Sequence, residues 1–374
     1  MQKRIRIAIV NEGSAGGIRK HILNIARNLD PQRFALTVIL AKRPGYESEG
    51  DPAEELAEAG IPFVHVPMVR ELSPHSDFQS WRKLRRELRN FNVVHAHSAK
   101  AGFLARAVCK NLHIPCFYSP HVFPFQRTTP FKTRLYLALE RRAAPWTTAF
   151  IVNSEKERDT AIENRLATPE RIHLVPNAIE FPSLPAPEVR AEIRSQIGTP
   201  ANKTVFVTIG RLVAYKGQER LIRAFSALER NDAELWIVGE GEDASKLAAL
   251  SSKLGLSDRI RFLGYRRDVF AILAASDCFV LASRNEGCPY TVIEALAMQK
   301  PIIAAAVQGI VDLVKNPTCC RLVPWDDIAA FANAFQEYMT TPFPGAPLNS
   351  LSKEIFDLSG QIRRLEAIYE RAAV

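Results

Sequence analysis

The stretch SRNEGCPYTVIEALAMQKPIIAAAVQGIVDLV, from Ser283 to Val314, decides how the rest of the chain is read. It follows the apolar run CFVLA, Cys278 to Ala282, which reads as a strand buried in a parallel sheet. Pro289 suits the first position of the helix that comes next, so the local plan is strand, short loop, helix. Glu286 then falls in the loop, and Glu294 lies about two turns into the helix on the side that the loop can face. Both carboxylates could reach one ligand lying over the helix start. A helix N-terminus at the carboxyl end of a parallel strand favours phosphate, and carboxylates beside it accept hydrogen bonds from sugar hydroxyls. The chemistry suggested is that of a sugar nucleotide.

Two Glu eight residues apart are common by chance, but here an apolar strand precedes them and PIIAAA follows. In that setting the spacing resembles the E-x7-E signature of the retaining glycosyltransferases of family 4, which have the GT-B fold. Further stretches similar to that family occur in the right order: GSAGG near the start, VVHAHSAKAG, SPHVF, VNSEKE, VPNAIE, IGRLVAYKG, VGEGED and FLGY. The resemblance spans nearly the whole chain. It implies an α/β architecture of two Rossmann-like parallel-sheet domains facing across a cleft, with a C-terminal helix crossing back to the first. The expected division is 1–181 for the acceptor-side domain, 182–202 for a linker, 203–350 for the nucleotide-sugar domain and 351–374 for the returning helix.

At 374 residues, 47% of them hydrophobic, the chain is long enough for two domains with separate cores. No apolar run approaches a membrane span, and the run in MQKRIRIAIVNEGS is too short for a secretory signal, so the expected location is the cytoplasm. Six cysteines without a C-x-x-C pair read as reduced thiols, the vicinal Cys319 and Cys320 as a strand edge rather than a metal site. Residues 1–180 carry 27 Lys+Arg against 18 Asp+Glu, whereas residues 181–374 carry 22 of each, so the net charge of +9 belongs to the first half. A basic half points to an anionic partner such as a membrane surface, a lipid pyrophosphate or a nucleic acid, with plain solubilising charge as the alternative.

The chain opens as a Rossmann-like unit: the strand RIRIAIV, the glycine-rich turn NEGSAGG and the amphipathic helix IRKHILNIARNL. Gly13, Gly16 and Gly17 permit close backbone approach, yet G-x-x-G-G is not the dinucleotide fingerprint. The family resemblance makes Gly16 and Gly17 donor-binding; a glycine turn without a ligand is the alternative. Alternating strand and helix patterns then continue to AFIVN, as a doubly wound parallel sheet requires. In WRKLRRELRNF, Arg82, Lys83, Arg85, Arg86 and Arg89 surround a stripe of Trp81, Leu84 and Leu88, which suits either an acidic membrane surface or an ordinary solvated helix. FPFQRTTPFKTRLYLALERR mixes aromatic and basic residues just after His121; it reads equally as an acceptor-guiding surface or a core helix with a charged outer face. His95 and His97, at or near a strand end, read as satisfied polar caps, with substrate contact as the alternative. His121, in SPHVF, matches the family's donor-sugar contact, although Val122 stands where relatives often carry glycine. Ser154 reads as a helix cap with Glu157 three residues on. The prolines from Pro176 to Pro187 mark the linker.

In the second half, Arg211 follows the strand TVFVTIG, and Lys216 comes five residues later, placing two cations where a pyrophosphate would lie. The resemblance gives them the role of neutralising the departing nucleoside diphosphate. It likewise assigns the nucleobase to Gly264 and Tyr265, the donor-sugar hydroxyls to Glu286 with Gly287, and the ribose to Glu294. Gln308 replaces a family glycine before Gly309. The activity implied is metal-independent, cofactor-free transfer of a hexose, with retention, from a UDP- or GDP-linked donor to a glycan or polyprenyl-pyrophosphate-linked acceptor. HSAKAG and the basic half resemble enzymes of bacterial surface polysaccharide synthesis, which implies peripheral contact with the inner face of an anionic membrane and no nucleic acid. Competing readings are a GT-B sugar-nucleotide epimerase, which needs no acceptor, a basic nucleic-acid-binding protein, and a sugar-nucleotide binder without catalysis.

Overall fold

The computed structural model of the protein describes residues 4–12, 16–41, 51–69, 73–126, 128–228, 230–314, 318–345 and 350–373. Its chain forms two compact units, one of Met1–Asn177 with Leu358–Val374 and one of Ala178–Asp357.

The first unit is built on seven strands: β1 (Ile5–Asn11), β2 (Phe34–Ala41), β3 (Phe63–Val66), β4 (Val93–His97), β5 (Cys116–Ser119), β6 (Ala149–Val152) and β7 (Ile172–Leu174). They pair in parallel in the order β3-β2-β1-β4-β5-β6-β7, so the direction of winding reverses between β1 and β4. Parallel strands need helical crossovers, which cover both faces and explain why IAIV of β1 and VVHAH of β4 are wholly buried. One face is covered partly by the final helix, Leu358–Ala373, whose Leu358, Ile362, Leu365 and Tyr369 pack with Ile7, Ile9 and Phe117. Their spacing traces a single helical stripe. Glu366 on this helix accepts from the Asp30 amide at 2.9 Å and pairs with Arg33 at 2.8 Å. The helix Pro74–Glu87 and the turn after it bury Leu84 and Leu88 and leave Arg82, Arg85, Arg86 and Arg89 exposed, as the solvated-helix reading requires.

The second unit holds β8 (Thr204–Ile209), β9 (Ala233–Val238), β10 (Ile260–Gly264), β11 (Cys278–Leu281), β12 (Ile302–Ala305) and β13 (Cys320–Val323), all parallel in the order β10-β9-β8-β11-β12-β13. Cys320 opens the edge strand β13, its Sγ 3.3 Å from that of Cys319, and all six cysteines are free and buried.

The span 182–202, expected as linker, departs from expectation. Pro187 occupies the first turn of a helix, Pro187–Ile197, whose Val189, Ile193 and Ile197 pack on the second sheet. Arg194 donates to the Ala275 carbonyl at 2.9 Å and pairs with Asp277 at 2.7 Å. Proline here starts a helix rather than keeping the chain open. The division falls instead at Asn177/Ala178 and Asp357/Leu358, and Ile179 bridges Asp357 inside the second unit.

Candidate functional site

In the second unit, loops at the carboxyl ends of β8, β9 and β11 are drawn together by backbone contacts that only glycine permits. Gly217 sits at φ +75° at the start of the helix Gln218–Ser226, and a Cβ there would lie 2.1 Å from the Ala282 carbonyl oxygen. Gly239, at φ +129°, would place a Cβ 2.1 Å from the Gly210 carbonyl. Beneath the β11 loop, a Cβ on Gly309 would come within 2.1 Å of the Gly287 carbonyl oxygen and 2.4 Å of that of Glu286. The first of these approaches sets the β8 loop against the β11 loop, and their side chains meet.

Lys216 Nζ donates to Glu286 Oε1 at 2.7 Å, with 17% and 8% of the side chains exposed. Arg211, half-buried, donates to the Tyr215 hydroxyl at 3.2 Å, and its carbonyl accepts from Gln218 Nε2 at 3.0 Å. Pro289 caps the following helix, Tyr290–Ala297, rather than occupying its first turn, so Glu294 lies only about one turn in. Glu294 is buried. Gly264 adopts φ +62°, its carbonyl accepting from the Gly239 amide at 2.7 Å, while the Tyr265 amide donates to Glu240 Oε1 at 3.3 Å. Sequence reasoning missed Ser283, at the end of the β11 segment: its hydroxyl is wholly buried and without a hydrogen-bond partner. A cavity of about 380 Å³ adjoins the same loops, lined among others by Tyr215, Arg220, Lys246, Arg284 and Trp325.

The first unit carries a second grouping. Gly16, at φ +64°, and Gly17 open the helix Gly16–Asn28 rather than lying in the turn before it; Gly13, of the same motif, falls outside the described residues. One turn into that helix, His21 is buried and its ring centre lies 5.5 Å from His97 and 5.0 Å from His121. His97 Nδ1 and His121 Nε2 are hydrogen-bonded at 2.9 Å. Burial pushes the His21 pKa down to about 4, and His97, buried and next to three other imidazoles, is held well below the usual histidine range. His97 Nε2 is buried without a partner. His95 is a satisfied core group, bonded to the Tyr369 hydroxyl at 2.7 Å and the Ser119 hydroxyl at 2.8 Å. Among the described residues the one grouping with metal-ligand spacing is His21, His97 and His121, with nitrogens within 4.8 Å of one another, two of them already bonded together.

His121 and Val122 both have left-handed backbones, φ +50° and +80°. Such positions cost about 1–3 kcal/mol each for non-glycine residues, and a β-branched valine is among the least suited. A further feature not read from sequence is Glu12, whose carboxylate accepts from the amides of Lys100 and Ala101 at 2.8 and 3.2 Å and so caps the helix Ala99–Leu112.

Comparison with known proteins accords with this architecture. Residues 16–178 match the model described as a glycosyl transferase 4-like domain, and residues 189–353 match that of glycosyl transferases group 1. The chain is 30% identical over 297 residues, 76% of its length and 77% of the relative's, to the Escherichia coli UDP-Gal:alpha-D-GlcNAc-diphosphoundecaprenol alpha-1,3-galactosyltransferase. It is 34% identical over 158 residues, 42% of its length and 45% of the relative's, to the lipopolysaccharide core biosynthesis glycosyltransferase LpsD of Rhizobium meliloti. Among solved structures, Anabaena Alr3699/HepE in complex with UDP-glucose superposes with a TM-score of 0.84 at 20% identity, covering 98% of this chain and all of that one. Two domain models sharing the sequence between them, a relative similar over three quarters of both chains and a matching fold lead to one conclusion: the chain belongs to the family 4 glycosyltransferases of the GT-B fold, as they occur in bacterial polysaccharide synthesis.

Proposed function

We propose that the protein is a retaining, metal-independent hexosyltransferase that moves a sugar from a UDP-linked donor to a lipid-linked diphosphate acceptor. The observation that carries this reading is the Lys216–Glu286 pair at 2.7 Å, held at the carboxyl ends of β8 and β11 by glycine-only loop contacts. In this reading Arg211 and Lys216 neutralise the departing diphosphate and supply the positive charge that a metal ion would otherwise bring. Glu286 and Gly287 hold the donor-sugar hydroxyls, Glu294 the ribose, and the Gly264–Tyr265 turn the base. His121 orients the sugar, and Gly16 and Gly17 allow the chain to approach the donor. The departing diphosphate itself accepts the proton of the attacking acceptor hydroxyl on the same face of the sugar, so no protein nucleophile is required and configuration is kept.

Galactose and a GlcNAc-diphospholipid acceptor are the specific candidates, because the Escherichia coli relative is a galactosyltransferase from UDP-Gal to GlcNAc-diphosphoundecaprenol. The membrane side of the proposal rests on the helix Pro130–Ala143, which exposes Phe131 by 82% and Leu135 by 41%, with Lys132 and Arg134 between them in sequence. An apolar tip among cations suits peripheral docking on an anionic lipid surface. Among the described residues no helix is long and apolar enough to cross a membrane.

The test is incubation of the full chain with UDP-galactose, UDP-glucose or GDP-mannose and a GlcNAc-diphospholipid, with and without EDTA, followed by proton NMR of the product. An α-linked galactoside formed equally with the chelator supports the proposal. A β-linked product refutes retention; activity lost to EDTA and restored by magnesium refutes metal independence.

A further inference from the structure

The His121–Val122 turn is a backbone that its own residues disfavour, so something outside it must hold it. The group that does so is Glu157. Its Oε1 accepts from the Val122 amide, and its Oε2 accepts from the Asn153 amide at 3.1 Å, so one carboxylate fastens the loop after β5 to the loop after β6. Glu157 is the third residue of the helix Glu155–Glu163, with Ser154 as cap, and its own amide donates to the Ser154 hydroxyl at 3.2 Å. In an ordinary capping box the glutamate would return to the amide of the cap residue. Here the carboxylate accepts from the Asn153 amide and, across the fold, from that of Val122. The side chain is almost wholly buried.

A second tie runs beside it: Gln126 Oε1 accepts from the Phe123 amide at 3.2 Å, and its Nε2 donates to the Thr160 hydroxyl at 3.3 Å, one turn further along the same helix. On the turn that these ties flank, the His121 imidazole lies against His97, Nε2 to Nδ1 at 2.9 Å.

We propose that Glu157 is a positioning residue for the reaction: by clamping the Val122 amide it holds the His121–Val122 turn left-handed and so aims the His121 imidazole. The proposal rests on the reading of His121 as the donor-sugar contact. A glutamine at 157 offers one acceptor oxygen in place of two and sets an N–H against one of the two amides. Released from the clamp, the turn relaxes toward ordinary backbone and the imidazole moves; a displacement of about 1 Å in a positioned group costs about 10²-fold in rate. Glycine takes positive φ freely, so Val122→Gly makes the turn self-supporting and removes the need for the clamp.

The experiment compares E157Q, V122G, V122G/E157Q and H121N in the full chain, with UDP-galactose and a GlcNAc-diphospholipid as substrates. Alongside, ¹⁵N-imidazole NMR follows the His97–His121 hydrogen bond. Expected are a loss of kcat of about 10²-fold in E157Q with donor KM little changed, near wild-type turnover in V122G, and recovery of most of the lost activity in the double variant. The imidazole signals should shift in E157Q and return in the double variant. Wild-type kcat in E157Q overturns the proposal, as does a loss that V122G fails to relieve, since general damage would not be cured by a glycine one residue from the histidine. If E157Q does not fold, E157D, one methylene short of the Val122 amide, is read by the same criteria. Unchanged turnover in H121N removes the sugar-contact role of His121 instead, and the imidazole spectra then decide the clamp alone: an E157Q spectrum identical to wild type overturns it.

Discussion

Replacing Lys216 by methionine keeps most of the side-chain stem and deletes only the charge, so it isolates what the ammonium does for Glu286 and for catalysis. Glu286, 8% exposed, would retain its carboxylate with its ion partner gone. Breaking a fully buried pair costs about 3–5 kcal/mol; because Lys216 is 17% exposed and water can enter, about 2 kcal/mol is the expected loss here. For a unit the size of Ala178–Asp357, each kcal/mol moves the unfolding midpoint by about 2–4 °C, so K216M should melt about 4–8 °C lower. E286Q should cost about 1 kcal/mol or less, since the freed lysine can swing its head into solvent. The double variant K216M/E286Q should then be more stable than K216M, because the orphaned carboxylate is gone. Turnover separates from stability: losing a cation aimed at the leaving group should lower kcat by about 10²–10³-fold in K216M and in the double variant alike. Thermal unfolding and initial rates with UDP-galactose read the two effects. Equal melting of K216M and wild type, or a larger stability loss in E286Q than in K216M, would refute the pair; wild-type kcat in K216M would take Lys216 away from the leaving group.

Stability should also fall with acidity through the first unit. His21 binds its proton with a pKa of about 4 when folded and an ordinary 6.5 when unfolded, so the unfolded chain holds more protons between those values. Its contribution is complete above the unfolded value and drains away as pH falls through the folded one, about 3 kcal/mol in all, with His95 and His97 acting in the same direction. Thermal unfolding from pH 7 to pH 4 should show this slope, and H21Q should flatten it; a pH-independent midpoint contradicts the burial of uncharged imidazoles. On the membrane side, F131D should reduce co-sedimentation with phosphatidylglycerol vesicles without changing turnover on a short-chain acceptor. Equal sedimentation would remove the helix Pro130–Ala143 as a docking face. Finally, G309A should lower donor affinity and stability together, because its Cβ meets the Glu286 and Gly287 carbonyls.

Much of this architecture was legible in the sequence. Apolar runs such as VVHAH and CFVLA are buried on both sides, as parallel strands must be, and they appear at the expected positions. Glu286 in a loop and Lys216 before a helix could be placed because strand ends and glycines bracket them. What failed did so where tertiary contact decides. The proline run before Val189 reads as open linker, yet Pro187 is equally at home in a first helical turn, and only the partners of Arg194 reveal which applies. His21 belongs to the imidazole cluster because it shares the buried face of its helix with Ile22 and Ile25, a period visible in IRKHILNIARNL but silent about what lies opposite. The need for glycine at 239 and 309 is silent in the sequence, because it comes from a neighbouring loop's carbonyl. Glu157 reads as half of a capping box because its second partner, Val122, is 35 residues away.

The central claim is that a nucleoside diphosphate docks on the second unit over the ends of β8, β10 and β11. Hydrogen–deuterium exchange of the full chain with and without UDP tests it most directly. Slowed exchange concentrated in Gly210–Gly217, Gly264–Arg266 and Glu286–Ile293 is the predicted result; protection confined to the first unit, or none at a saturating concentration of UDP, would contradict it.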